Sequence, residues 1–168
     1  LTRRLTWLDR NPDIFYVLKS EGQVVGYAAM LPLKQEKVER SLSGEEYAQE
    51  INAEEMEEFV PGKPLYIYLM AAGITPRASH YEKRSYGARL IGGMFKGILD
   101  LGKRGIVIDT LAARSDTPDG IRLLKNGFTE IPTNTYARNF IIRVKESGMP
   151  FIQPYKRALE DSGYKLPE

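Results

Sequence analysis

"LYIYLMAAGITP", residues 65–76, decides the fold. Leu65, Ile67 and Leu69 alternate with Tyr66, Tyr68 and Met70, and both sets are apolar or aromatic, which predicts a central strand packed on both faces. It runs out in Ala71-Ala72-Gly73-Ile74, small residues that permit a bulge or a close approach of another backbone. The period then changes. Leu90, Met94, Ile98 and Leu101 recur at spacings of four, four and three and meet Gly102 and Gly105 as stop signals, so a helix is predicted over 84–103.

Downstream, "GIVIDTLAA" (105–113) is a second strand, and Thr117-Pro118 is a helix N-cap followed by proline at the first helical position. "DGIRLLKN" (119–126) is then a short helix ended by Gly127. "FTEIP" (128–132) and "YARNFIIRV" (136–144) supply two more strands, and "PFIQPYKRALEDSGY" (150–164) a closing helix. Upstream, "LTRRLTWLDR" (1–10) sets Leu1, Leu5 and Leu8 on one side of a short helix, with Trp7 beside them and Asn11-Pro12 as the stop. "DIFYVLKSEGQVVGYAAMLPL" (13–33) reads as a hairpin turning at Ser20-Glu21-Gly22-Gln23. An acidic insertion, about 35–62, is expected to form short exposed helices, opened by a Ser43-to-Glu46 capping box and closed by Pro61-Gly62. The order specifies an α/β domain, one unit over 1–168, with a mixed, twisted central sheet and helices on both faces.

With 168 residues, 42% of them hydrophobic and 27% charged, one packed core is the expectation. No cysteine is present, which excludes disulfides, thiolate zinc sites and a cysteine nucleophile, and makes a reducing cytoplasm the expected home. A single histidine, His80, argues against a multi-histidine metal site, and no metal is expected. The longest nearly apolar run, "VVGYAAMLPL" at 24–33, is about half of the roughly 20 residues that a membrane span needs.

The net charge of +2 conceals two blocks of opposite sign. From Gln35 to Glu58, nine Glu face only Lys37 and Arg40, a balance of −7. From Arg77 to Arg104, seven Lys or Arg face Glu82 and Asp100, a balance of +5. The basic block contains "KRSYGARL" (83–90), Arg84 three residues before Gly87 at the expected start of the long helix. Free N–H groups in a first helical turn carry partial positive charge, and a glycine there lets a phosphate approach the backbone. Arg84, Ser85, Tyr86, Gly87, Ala88 and Arg89 are therefore candidates to hold a pyrophosphate. The alternative is a basic helix start with an incidental glycine. A nucleic-acid or protein interaction face is the third reading, but no helix-turn-helix, zinc-finger spacing or aromatic RNA-binding pair accompanies it.

Buried strand, basic helix start, strand, and a short helix ending in "NGF" together resemble the GNAT superfamily of acyl-CoA-dependent N-acetyltransferases, over roughly Trp7 to Ile131. That family's Arg/Gln-x-x-Gly-x-Gly/Ala motif is matched at Arg84 and Gly87 and departs at Arg89. The resemblance implies a GNAT-like acyl-CoA N-acyltransferase fold. It also implies acetyl-CoA as co-substrate and direct attack by a primary amine of a small molecule or peptide. Main-chain groups of Ala72, Gly73 and Ile74, with Met70 and Ala71, would hold the pantetheine arm. The family's first strand and helix have no counterpart here, so an N-terminally truncated fragment is expected, with a preceding N-terminal domain and a homodimer left open as partners.

The resemblance leaves the acid and base unassigned. Where many members carry a tyrosine acid in the short helix, this chain has Leu123 or Leu124. A base must take a proton from an ammonium, and Tyr68, Asp109 and Glu58 are the candidates, with Tyr66 also possible. For Tyr68 and His80, core packing and loop decoration are the competing readings. The glutamates of 45–58 either attract a cationic amine or form a solvated face. The missing tyrosine keeps open a non-catalytic acyl-CoA-binding or regulatory domain of the same fold.

Overall fold

The computed structural model describes residues 2–168, and the side chains of all of these but Thr2, Arg3, Ala71 and Ala72. Leu1, included in the expected first helix face, lies outside them. In chain order the elements are α1 (Thr2–Arg10), β1 (Phe15–Ser20), β2 (Gln23–Leu33), α2 (Gln35–Ser43), β3 (Leu65–Ile74), α3 (His80–Lys103), β4 (Ile108–Ser115), α4 (Pro118–Lys125), β5 (Thr129–Ile131), β6 (Arg138–Arg143) and α5 (Ile152–Asp161). The six strands form one sheet in the order β1-β2-β3-β4-β6-β5. β3 and β4 are parallel, joined by the crossover helix α3, and every other neighbouring pair is antiparallel.

The alternation in β3 is what builds two cores. Leu65 and Ile67 join one apolar cluster, with Leu90, Met94, Ile98 and Leu101 of α3 and Ile152, Tyr155 and Leu159 of α5. Tyr68, with Tyr66 and Met70 packed at its border, joins the other, with Trp7 of α1, Val38 and Leu42 of α2, and Ile51 and Met56. Helices thus cover both faces of the sheet. Tyr155 fastens α5 to the start of β4, its hydroxyl donating to the Ile106 carbonyl and accepting from the Ile108 N–H, each at 2.7 Å. α3 lies close over β1: a Cβ on Gly97 would stand 2.3 Å from the Tyr16 hydroxyl oxygen, so any larger residue there would displace the Tyr16 ring. Burial, with the nearby carboxylates of Asp13 and Asp100, pushes the Tyr16 phenol up to about 12.

Four sequence expectations change. α3 starts at His80 rather than 84, because Ser79 and Glu82 close a capping box: the Glu82 N–H donates to Ser79 Oγ at 3.3 Å and the Ser79 N–H to Glu82 Oε2 at 2.8 Å. Ser43 opens no helix. It ends α2, and Gly44 follows in the left-handed conformation at φ 82° that closes helices. In α1, Leu5 and Leu8 face solvent and Trp7 is fully buried, its indole N–H donating to the Ile51 carbonyl at 2.8 Å. A large ring with one polar atom wins the inward position when the facing segment offers a carbonyl for it. That segment is the acidic insertion, which buries Ala48, Ile51, Ala53 and Met56 instead of standing free.

Candidate functional site

β3 and β4 pair from Leu65↔Ile108 as far as Leu69↔Ala113, and no pairing continues beyond. At the same point β3 slips against β2: Met30 pairs with Leu69 and Ala29 with Ala71, so Met70 is the extra residue of a β-bulge. From Ala71 to Ile74, β3 pairs with β2 alone. Main-chain groups on the β4 side of this half-strand consequently face a gap, in the middle of a sheet where such groups are normally tied up in a ladder.

The gap opens into a cleft of about 630 Å³ bounded by β3, α3, β4 and α4. Leu69, Met94, Phe95, Ile98, Leu111 and Phe128 form an apolar wall, extended by Phe151, whose ring stacks on Phe95 at 3.9 Å. Arg114, Ser115, Asp116, Thr117 and Asn126 form a polar rim on one side. Thr117 caps α4, its hydroxyl accepting from the Gly120 N–H at 3.2 Å. Leu123 and Leu124 both line the cleft, so the short helix presents no acid to it in either register. Gly73 lines the cleft; Ile74 follows it, half-buried at the end of β3. The Ala72 backbone belongs to the same half-strand, paired with β2 alone, while its side chain lies outside the described residues.

The basic motif stands otherwise than the sequence reading supposes. Because α3 begins at His80, the N–H groups of Arg84, Ser85, Tyr86, Gly87, Ala88 and Arg89 donate within the helix to carbonyls four residues back. They are not the free donors of a first turn. Helical spacing nevertheless puts Arg84 and Gly87 in line with Ile91, Phe95 and Ile98 of the cleft wall, whereas Ser85, Tyr86 and Arg89 fall on other faces. Tyr86 turns to β1, its hydroxyl 3.4 Å from Ser20 Oγ. A Cβ on Gly87 would meet no atom within 4 Å, so packing does not demand this glycine.

The three base candidates are not brought together. Tyr68 is 5% exposed, and burial pushes its phenol up, partly opposed by the charge of Arg114, so it is a neutral hydroxyl and not a base near pH 7. Asp109 lies at the other end of β4, in a separate cavity of about 370 Å³ with Lys34, Glu57, Lys63 and Tyr66, where its Oδ1 accepts from the Thr110 hydroxyl at 2.7 Å. The Tyr66 phenol there is raised by burial and by the Asp109 charge. Glu58 pairs with Arg10 at 2.7 Å and does not line the cleft. His80, the first residue of α3, is exposed and not in the cleft wall.

Nor do the acidic residues present a bare negative face. Lys37 bridges Glu46, at 2.7 Å, and Glu55; Lys63 holds Glu57 at 2.5 Å. The hydrogen bond from Lys37, with that from the Asn52 N–H, holds the Glu55 carboxyl below the usual carboxylate range. The sequence reading allowed a bulge at Ala71–Ile74, one residue past Met70 where it lies, and did not single out the arginine at position 114. That arginine carried a signal: "LAARS" ends a strand flanked by helices, and ligands gather at the carboxyl ends of parallel strands.

The sequence matches no protein-family model and no curated protein sequence. Solved structures do match. A GNAT-like decarboxylase, GphF, in complex with isobutyryl-CoA superposes with a TM-score of 0.53 at 13% identity, with 84% of each chain covered. Ard1 from Thermoplasma volcanium gives 0.48 at 16%, covering 83% of this chain and 76% of its own. Ribosomal-protein-alanine N-acetyltransferase from Brucella melitensis gives 0.44 at 18%, covering 83% and 75%. At these identities the likeness is one of fold.

Proposed function

We propose that this chain, whose fold is that of the GNAT acyltransferases, binds an acyl-CoA in the gap between β3 and β4 and passes the acyl group to an amine. The observation that carries the reading is the coincidence of three things at one level of the sheet: the Met70 bulge, the parting of the strands after Leu69 and Ala113, and an apolar cleft of about 630 Å³ beneath them. That volume lies within the roughly 300–1,000 Å³ of small-molecule sites. The pantetheine arm, two amides joined by short carbon chains, suits a slot with one wall of unpaired main chain and one of apolar side chains.

In this arrangement main-chain groups of Met70, Ala72, Gly73 and Ile74 pair with the pantetheine amides and with the thioester oxygen as it gains charge. Arg84, on the cleft-facing line of α3, contributes its guanidinium to the pyrophosphate, and Gly87 keeps the helix surface open beside it. The amine nitrogen bonds to the thioester carbon, the C–S bond breaks, the amine proton leaves to water, and the thiolate is protonated to free coenzyme. Holding the two reactants in place supplies most of the acceleration.

The second reading, a GNAT-fold module that binds acyl-CoA without transferring the acyl group to an amine, is favoured by Leu123 and Leu124 standing at the cleft where an acid would help. Calorimetry with acetyl-CoA, free coenzyme A and ATP tests the shared premise. Micromolar binding of both coenzymes, much weaker for ATP and lost in an Arg84→Ala, Gly87→Glu variant, is expected. A folded chain that binds none of them sinks both readings. Thiol release from acetyl-CoA across a panel of amines then separates transfer from binding alone.

A further inference from the structure

The polar rim of the cleft carries two charged side chains, the half-buried Arg114 and the exposed Asp116, and among the described residues neither forms an ion pair. Arg114 sits at the carboxyl end of β4, half-buried, with its side chain on the α2 face beside Tyr68 and across the ladder from Asn139. Its guanidinium makes a long hydrogen bond, Nη1 donating to the Ser41 carbonyl at 3.3 Å at the end of α2. Its guanidinium lies over Gly44, where a Cβ would come within 3.2 Å of Nη1. Among the described residues no carboxylate pairs with it, although arginines elsewhere do find partners: Arg10 with Glu58, Arg104 with Asp13, Arg138 with Glu130. A guanidinium carries five N–H donors in a planar fork and stays charged at any working pH, so four donors here are left for something else.

Close by, Ser41 Oγ is a buried atom without a hydrogen-bond partner, in a residue 1% exposed. A forked cation and a spare hydroxyl, both able to donate to an anion, thus stand where α2 ends over β4. Asn139 Oδ1, also buried and unpartnered, is an acceptor and calls for a donor instead, its own amide N–H being used on the Leu42 carbonyl at 2.7 Å. Buried polar groups are rarely left unpaired in a finished site. A carboxylate would take the guanidinium in the bidentate mode, its preferred partner.

Resting on the proposed acyl-CoA cleft, we infer that the second substrate feature this protein recognises is a carboxylate, bound by Arg114 at the mouth of the gap between β3 and β4. Arg114 lines the cleft from the α2 face, whereas Ile91, Phe95 and Ile98 wall it from the α3 face. The two substrates would meet across the parting of the strands, the carboxylate on one side and the pantetheine arm on the other. A carboxylate can come from the acceptor, as in an α-amino acid, or from the acyl group of a dicarboxylic acyl-CoA. The chemistry at Arg114 is the same.

Two arms distinguish these sources. In the first, thiol release from acetyl-CoA is compared for amino acids and for the same molecules lacking the carboxylate, such as phenylalanine against phenylethylamine and alanine against ethylamine. In the second, dissociation constants of malonyl-CoA and succinyl-CoA are compared with those of propionyl-CoA and butyryl-CoA. A preference of about tenfold or more for the carboxylate in either arm is expected. It should fall below about threefold in Arg114→Gln and be partly retained in Arg114→Lys, which keeps the charge and loses the fork. An arginine that merely caps α2 would change the melting temperature of both variants and leave the ratios where they were. Coenzyme binding with no carboxylate preference in either arm, or a preference that survives Arg114→Gln, overturns the inference and leaves the cleft intact. Absence of any coenzyme binding overturns the cleft and the inference with it.

Discussion

The two halves of β3 have opposite tasks. From Leu65 to Leu69 it is hydrogen-bonded on both sides and buried on both faces, and its side chains belong to two cores at once. From Met70 to Ile74 it keeps one neighbour, carries a bulge, and has small residues where the first half has large ones. The same strand is a keystone and, five residues on, a wall with free main chain. Stability should therefore sit in the closed half and recognition in the open half, and a mutation should move one without the other.

The hardest blow to that division is Trp7→Ala, which empties the core behind the closed half. Loss of a fully buried indole and its bond to Ile51 should cost about 4 kcal/mol in urea unfolding. Coenzyme affinity, measured below the transition, should stay within about twofold. A large loss of affinity would mean that the halves are coupled. Next in size is Leu124→Tyr, which puts a phenol on α4 at the cleft. If acyl transfer lacks only an acid, thiol release should rise about tenfold, with little change in melting temperature; no gain supports the binding-only reading.

Gly87→Ala sharpens the division within α3. No atom stands within 4 Å of the added methyl, so the helix should gain about 1 kcal/mol. If the line from Arg84 to Ile91 receives the pyrophosphate, the same change should weaken coenzyme binding; Gly92→Ala and Gly93→Ala, which are equally open, should stabilise without that penalty. The smallest effect is in the acidic segment. The Glu55 carboxyl is held below its unfolded value by Lys37, so its contribution is complete above the unfolded pKa and is lost as pH falls through the folded one. The pair is partly exposed, so about 0.5 kcal/mol is expected, seen as a shallower acid limb of stability in Glu55→Gln as pH falls below the ordinary glutamate value.

Periodicity made most of the elements legible. The double alternation of β3, the 4-4-3 spacing of α3, the Glu21-Gly22 turn with φ of 49° and 77°, and the Thr117-Pro118 cap all stand where the sequence places them. Local chemistry misled at Ser43, where a capping pattern lost to the glycine after it, and at Arg84, where the cap three residues before Glu82 began the helix one turn sooner. The site was less legible than the fold. Asp109 stands away from the cleft because a strand's two ends are far apart although its residues are close in sequence, and Glu58 stands away from it beside Arg10. Arg114 and Ser41 are 73 positions apart and meet only because α2 ends above β4.

The sequence alone determined the alternation of strands and helices, the two-faced central strand, and the lack of a cysteine side chain in these 168 residues. Those follow from side-chain period and composition, which act over a few residues. Tertiary structure decided where β3 parts from β4, that Arg114 stands at the cleft rim without a carboxylate partner, and which acids are already taken. Those depend on strand register and on pairs brought together from distant parts of the chain, and no local pattern encodes them.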